Sequence, residues 1–489
     1  MVATAKPTDD RRTSLLIVVV AGSVFTSIML GVRSTFGLFL EPVVETLQTD
    51  RGTFAFAIAV QNLLWGATQP LAGAIADRFG SARVLAVGAV GYMASLFLMA
   101  TAETSGMLLL SVGFLVGIST GAASFAVILA AVGRLVPPER RSMALGIVTA
   151  MGSVGQFVLI PVAQRLLENR SWQQAIVILG VVVIGATLMT PPFRGRAVDQ
   201  LAKAAAGSGA GGSGSESSAD PDRTLRTELR RAANHRPYVL LNMAFFVCGF
   251  HVTFIGVHLP AYVSDLGLGA STGATALALI GLFNIFGSLS AGFLGGRYSK
   301  SRLLSIIYGS RALVIAIYVL APATATTTLL FGATFGLLWL STVPLTSGIV
   351  SGQFGTLHSG ALFGIVFFSH QLGAFTGVWL GGELFDSTGS YRVVWFIALA
   401  LGVAASVIHL FIDERPAPEP PIPATSGIGI APAGAASIVV VAGLTAASLA
   451  SAAASTSATA SPASEAPVGQ PSETTAETHP SIFCPLVAS

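Results

Sequence analysis

The chain has 489 residues, 53% of them hydrophobic and only 10% charged, with a mean hydropathy of +0.75 and a formal net charge of +3. A soluble globular domain carries about 25% charged residues, so the composition excludes one and makes lipid the solvent for most of the chain. The pI near 9.0 comes with no nucleic-acid module, and Cys248 and Cys484 have neither metal-ligand nor disulfide spacing; no nucleic acid, metal or cofactor is expected.

Twelve apolar segments follow one another, at roughly 14–40, 52–76, 83–102, 106–133, 142–166, 173–193, 237–264, 271–296, 302–321, 325–350, 358–385 and 391–412, each bounded by turn or charge signals. About 20 apolar residues span a bilayer. The predicted fold is therefore an all-α membrane protein of twelve transmembrane helices in two pseudo-symmetric six-helix bundles, 14–193 and 237–412. Gly113, Gly117 and Gly121 in the fourth segment have the spacing that lets membrane helices approach closely. The first segment follows Arg11 and Arg12, but it is too long for a signal-peptide core and lacks a cleavage site. It reads as an uncleaved span after a cytoplasmic N-terminus, 1–13.

With that N-terminus inside, 20 of the 26 Lys and Arg fall on the cytoplasmic side, the positive-inside pattern. Both termini are then cytoplasmic, and the plasma membrane is the expected location. The stretch 194–236 is polar, with a centre from Gly207 to Asp222 rich in Gly, Ser and Ala; it reads as a flexible cytoplasmic linker, and the arginines after its centre suit a short interfacial helix. Residues 413–489 are rich in Pro, Ala, Ser and Thr and are expected to be a disordered tail. Residues 428–452 are weakly apolar, but without charged flanks they are not counted as a thirteenth span.

The two bundles repeat one another. Gly73-Ala-Ile-Ala-Asp77-Arg78-Phe-Gly80-Ser-Ala-Arg83 after the second segment is matched, 219 residues on, by Gly292-Phe-Leu-Gly-Gly296-Arg297-Tyr-Ser299-Lys-Ser-Arg302 after the eighth. Ala144-Leu145 with Gly155 and Phe157 is matched by Ala361-Leu362 with Gly373 and Phe375, and Ser171-Trp172 by Ser390-Tyr391. Three registers at nearly one offset mark an internal repeat rather than shared hydrophobicity.

The Gly73–Arg83 segment resembles the signature loop of the major facilitator superfamily, G-x-x-x-D-R-x-G-x-x-R between spans two and three, and the resemblance covers the twelve spans. It implies two halves rocking around a central site, lined by spans one, four, seven and ten. It also implies a gate at Gly73, Asp77, Arg78, Gly80 and Arg83, with Arg297 in the second copy. That copy has Gly296 where the first has Asp77, so the gate is expected to be asymmetric.

An ionisable side chain in hydrocarbon is costly and marks a candidate site. Arg33 lies in span one, about 12 Å before Glu41 along a helix. Its guanidinium suits a carboxylate; the alternative is snorkelling to the headgroups. His251 and His258 lie seven residues apart in span seven, and span eleven holds His370-Gln371. Histidine titrates near neutrality, so His251, His258 and His370 are the candidate proton carriers, with hydrogen-bonded packing as the alternative. Gln61, Asn62, Gln69, Gln156 and Asn284 suit interhelical hydrogen bonds, and Arg311 on span nine is expected to be peripheral. Phe36, Phe250 and Phe254 are of a kind to wall a cavity for a small organic anion.

Gly31-Val-Arg33-Ser34-Thr-Phe36-Gly37-Leu-Phe39-Leu-Glu41-Pro42, together with Phe363–Gly373 and Gly377–Gly382, is similar to bacterial relatives of the monocarboxylate transporters. That resemblance implies a monocarboxylate substrate, with His370, Gln371 and Asn284 beside Arg33, Phe36, His251 and Phe254 as candidate contacts, H+ as the candidate coupling ion, and a monomer in the bilayer. One departure matters. The family places an Asp and an Arg four residues apart in span eight, where this chain has Asn284 and Ser288; either Arg33 takes over the anion or the substrate is of another kind. The alternative function is a drug or metabolite exporter of the same fold, although the Gly-Pro pair of such exporters is replaced by Gly155-Gln156. No nucleophile constellation, paired carboxylates or phosphate loop points to an enzyme.

Overall fold

The computed structural model describes residues 9–136, 138–195, 225–355 and 358–418. The centre of the expected linker and most of the expected tail lie outside them. Every regular element among these residues is helical. Eleven helices are long and apolar enough to cross a membrane: span one (Leu15–Leu47), span three (Ser81–Ala100), span four (Ser105–Leu135), span five (Met143–Asn169), span six (Trp172–Met189), span seven (Arg236–Asp265), span eight (Ala270–Gly295), span nine (Lys300–Leu320), span ten (Ala325–Phe354), span eleven (Ser359–Thr388) and span twelve (Arg392–Leu410). The twelfth predicted span, span two, is the 29-residue helix Arg51–Phe79. It falls short on composition rather than length, and Gln61, Asn62, Gln69 and the internal Pro70 explain why. Gln61 and Asn62 are buried against other helices instead of facing lipid. A helix Leu225–Ala233 precedes span seven, where the linker's arginines suggested one.

Each half is assembled by close backbone crossings at small residues, as membrane helices without a hydrophobic drive between them require. A methyl at Gly155 of span five would stand 1.9 Å from the Ser27 carbonyl oxygen of span one, and one at Gly373 of span eleven 1.9 Å from the Phe246 carbonyl oxygen of span seven. The same pair of crossings thus recurs in both halves, as the repeat predicts.

Several spans are interrupted. Span one stops at Arg33, turns through a 3-10 segment at Phe36–Phe39 and resumes at Leu40, so the straight-helix distance from Arg33 to Glu41 does not apply. Span four contains a π-helical stretch, Leu109–Leu115, and breaks before Phe125, whose segment Ser124 caps through its side chain onto the Val127 amide. Span ten breaks between Leu338 and Thr342. The breaks of spans four and ten fall within about one turn of each other in the repeat.

Candidate functional site between the two halves

The halves meet along three helix pairs: span two on span eleven, span five on span eight, and the 3-10 turn of span one on span seven. At the end that holds Arg51 the contact is tight. A methyl at Gly382 would lie 2.7 Å from the Ala55 side chain, and one at Gly37 2.4 Å from the Gly256 carbonyl oxygen. Contact persists to mid-helix, where the Trp65 and Phe367 rings meet edge-on at 5.6 Å and Gln371 packs on Gly66. Beyond that level the halves part. A methyl placed on Gly73 or Gly292 would meet no atom within 4 Å. On span two the stripe Ala67, Pro70, Leu71, Ala74, Ile75 and Arg78 is exposed, while nearer the Arg51 end Phe56 is half-buried against Phe375 of span eleven. The molecule is closed at the Arg51 end and open at the end carrying Asp77 and Arg297.

Arg33 lies in the first half beside Trp65, the residue that meets Phe367 at the level where the halves part. Its guanidinium lies over the Trp65 ring at 4.4 Å from the centroid and donates through Nη2 to Asn62 Oδ1. Asn62 is held in place by its own Nδ2, which donates to the Ile58 carbonyl at 2.7 Å. Among the described residues no carboxylate pairs with Arg33, and its Nε is buried without a partner. The surrounding buried groups also lack partners: Trp65 Nε1, Thr26 Oγ1, Thr120 Oγ1, Gln61 Nε2 and the Tyr92 hydroxyl. Thr26, Trp65, Thr120 and Ser124 line one small cavity of about 10 Å³, room for about one water. Arg33 is thus a part-buried cation held by the Asn62 amide and the Trp65 ring, with no protein acid paired to it among the described residues.

Other expected site residues are dispersed. His370 packs within the second half, stacked on Phe367 at 5.5 Å and beside Phe245 with Nδ1 unpartnered, while Gln371 next to it faces Gly66 of the first half with both amide atoms unpartnered. His251 and His258 sit in the core of the second half. Their Nε2 atoms each meet a backbone carbonyl, Ala398 and Val378, at 2.8 Å. Phe254 joins an aromatic cluster with Trp395 at 4.9 Å, Phe250 is buried beside it, and Phe36 is buried in the 3-10 turn of span one.

Asn284 is a junction. Its Nδ2 donates to Ser153 Oγ of span five at 2.8 Å, across the two halves, and its Oδ1 accepts from Ser288 and from the Leu340 amide in the span-ten break. Arg311 completes that break from the other side. It is fully buried and donates to the carbonyls of Leu338 and Trp339, the acceptors that the interruption leaves free. The expectation that Arg311 is peripheral is corrected: it fills the carbonyl end of a broken helix, where a cation also opposes the dipole.

In the signature loop, Asp77 pairs with Arg134 of span four at 3.0 Å, and Arg134 also donates to Ser81. Gly80 adopts φ +97°, a backbone conformation suited to glycine, and comes against the Gly195 carbonyl. Arg78 lies over Phe79, Arg297 over Phe293 at 4.2 Å, and Arg83 is exposed. In the second copy, Glu414 after span twelve accepts from Ser299 Oγ at 2.6 Å and the Ser301 amide at 2.9 Å, with Lys300 Nζ 3.9 Å away. Partial burial opposes its charge, but those hydrogen bonds and the nearby lysine hold its carboxyl below the ordinary value.

Sequence reasoning missed the closure at the opposite end. Arg51 makes a bidentate pair with Asp265 at 2.6 and 2.8 Å, reaches Glu41 at 3.1 Å and Tyr391 Oη at 3.2 Å, and lies over Phe385 at 4.0 Å. The Arg51 and Gly52 amides both donate to Asp386. The available signal was the placement of Asp265 and Asp386 at the same ends of spans seven and eleven, opposite one arginine at the start of span two.

The Major Facilitator Superfamily profile matches residues 22–356, more than half of the chain. The MFS-type transporter YcxA of Bacillus subtilis is 26% identical over 411 residues, covering 81% of this chain and 95% of that protein. Monocarboxylate transporter 13 of Rattus norvegicus is 23% identical over 440 residues, covering 84% and 96%. Among solved structures, the nucleoside transporter NupG superposes with a TM-score of 0.64 at 12% identity over 81% of this chain and 99% of that one. A D-xylose-proton symporter superposes with a TM-score of 0.62 at 14% identity over 83% and 98%. These structural likenesses show the fold.

Proposed function

This chain belongs to the Major Facilitator Superfamily, and we propose that it moves a small organic anion, a monocarboxylate, across the plasma membrane by alternating access. Its moving bodies are the bundles 14–193 and 237–412. The observation that carries the reading is Arg33: a part-buried guanidinium fixed by Asn62 and by Trp65, itself in contact with the other half, with no carboxylate partner among the described residues. Removing such a charge from water is costly unless a counter-charge arrives, and a substrate carboxylate supplies one. Similarity to proteins named monocarboxylate transporters supports the same substrate class. With the basic end cytoplasmic, the state described is inward-open, the Asp77 loop belongs to the gate that closes in the other state, and H+ is the coupling ion.

The test is uptake of labelled short monocarboxylates by proteoliposomes containing the full chain, with Arg33→Gln as the control. Saturable uptake that is lost in Arg33→Gln is expected. Absence of uptake by the folded wild type overturns the substrate class, and full activity in Arg33→Gln overturns the role of Arg33.

A further inference from the structure

At the Arg51 end two of the three helix pairs between the halves are tight, and the third is not. Spans five and eight cross at mid-helix. Asn284 donates to Ser153 at 2.8 Å, Gln156 Nε2 donates to the Leu277 carbonyl at 3.2 Å, and a methyl at Gly281 would stand 3.0 Å from the Phe157 amide nitrogen. About one turn beyond that crossing the two helices leave a groove of about 180 Å³, far more than a single water needs. Pro161, Gln164, Arg165 and Glu168 of span five line one side, and Ser271 and Thr275 of span eight the other.

This lining is charged at one end and apolar at the other. Arg165 and Glu168 are exposed and three residues apart, so they are neighbours on the helix surface. They do not pair with each other, and Arg165 is in no ion pair among the described residues. Glu168 accepts from Gln164 Nε2 through Oε1 at 3.2 Å. The Thr275 hydroxyl donates to the Ser271 carbonyl at 2.7 Å, and its oxygen keeps an accepting lone pair. Val162 and Val158 are exposed on the face of Arg165, about one and two turns deeper in the span. An apolar track therefore leads from the polar groove toward the middle of the bilayer.

We propose that this groove binds a zwitterionic phospholipid with a primary-amine headgroup, its phosphate on Arg165 and its ammonium on Glu168, and that the lipid bridges the two halves. The guanidinium fork suits a phosphate, and the carboxylate suits the ammonium beside it. A headgroup with only negative charge would set a like charge against Glu168. The acyl chains follow Val162 and Val158. Because the two walls belong to different halves, opening of this end pulls the site apart. A ligand that needs both walls shifts the population toward the closed form. The bridging rests on the alternating-access reading above, and the binding does not.

The full chain, delipidated in detergent, is titrated with phosphatidylethanolamine, phosphatidylcholine and phosphatidylglycerol of identical acyl chains, and bound lipid is counted by native mass spectrometry. Phosphatidylethanolamine should bind about two- to fivefold more tightly than either of the others, the range that exposed charge pairs give. Glu168→Gln should erase that preference, and Arg165→Gln should weaken all three lipids. Equal binding of the three by the wild type overturns the site, as does a preference that survives both variants.

The bridging is read in nanodiscs. With Cys248 and Cys484 replaced by Ser, spin labels are placed at Glu103→Cys and Ala323→Cys, both exposed on opposite halves. Replacing phosphatidylcholine by phosphatidylethanolamine should raise the ratio of short to long distances about two- to fivefold, and Glu168→Gln should abolish that change. Distances that ignore the headgroup despite preferential binding overturn the bridge. A distribution that stays short under every condition, including saturating monocarboxylate, overturns the alternating-access reading, while the titration still decides the binding.

Discussion

The Arg33 guanidinium rests 4.4 Å from the centroid of the Trp65 ring and donates to Asn62 at the same time, so its plane is fixed before any ligand arrives. Lysine offers neither the fork nor the stack. Arg33→Lys should therefore keep the charge and still raise KM about tenfold or more, while Trp65→Leu should raise it about 2- to 30-fold through loss of the cation–π contact. Initial-rate uptake measurements on both variants check this.

Asn62→Asp provides the missing protein carboxylate. It should pair internally with Arg33, lower anion uptake about tenfold or more, and leave the protein at least as resistant to heat as the wild type. Thermal unfolding in detergent, run beside the uptake assay, separates this outcome from misfolding.

Gly382 comes against Ala55 and Gly52 so closely that a methyl would lie 2.7 and 2.8 Å from them. Gly382→Val should wedge the closed end apart without touching any charge. The expected result is a longer distance at neutral pH between spin labels at Glu103→Cys and Ala323→Cys, two exposed positions on opposite halves.

Arg311 and Asn284 hold the two sides of the span-ten break. Arg311→Met strands buried carbonyls and should cost about 2–5 kcal/mol of stability. Asn284→Ala should cost about 1–3 kcal/mol. Denaturant or thermal titration of the purified variants checks the order, with Arg311→Met the more damaging.

Glu414 has a lowered pKa, so its contribution to stability is present above the ordinary glutamate value near about 4.3 and lost as pH falls through its lowered one. Glu414→Gln should therefore melt below the wild type at about pH 7, with the gap closing below about pH 4.

Hydrophobic runs and the 219-residue repeat were enough to read the spans, because lipid leaves the chain few ways to satisfy its backbone. They also made Arg33 stand out as a charge within an apolar run. Its companions were harder to find. Trp65 and Tyr92 are ordinary aromatic residues in sequence, and only the crossing of spans one, two and three gives them meaning. Span two is the least apolar of the twelve because Gln61 and Asn62 are buried against neighbouring helices rather than facing lipid. Arg51 falls between the first two predicted spans, and its partners Asp265 and Asp386 are more than 200 positions away, pairs to which local patterning has no access. Arg311 was misjudged for a related reason: its partner is a break in another helix, which propensity does not mark.

The dependence of Arg311 on span ten has a consequence for biogenesis. Span nine reaches the bilayer before span ten does, so the arginine enters without the Leu338 and Trp339 carbonyls beside it, at a cost of about 2.5–3.5 kcal/mol at mid-helix. Insertion of span nine is then provisional until its neighbour arrives. A chain that ends after Leu320 should integrate poorly or be cleared by quality control, whereas one extended through Phe354 should be retained.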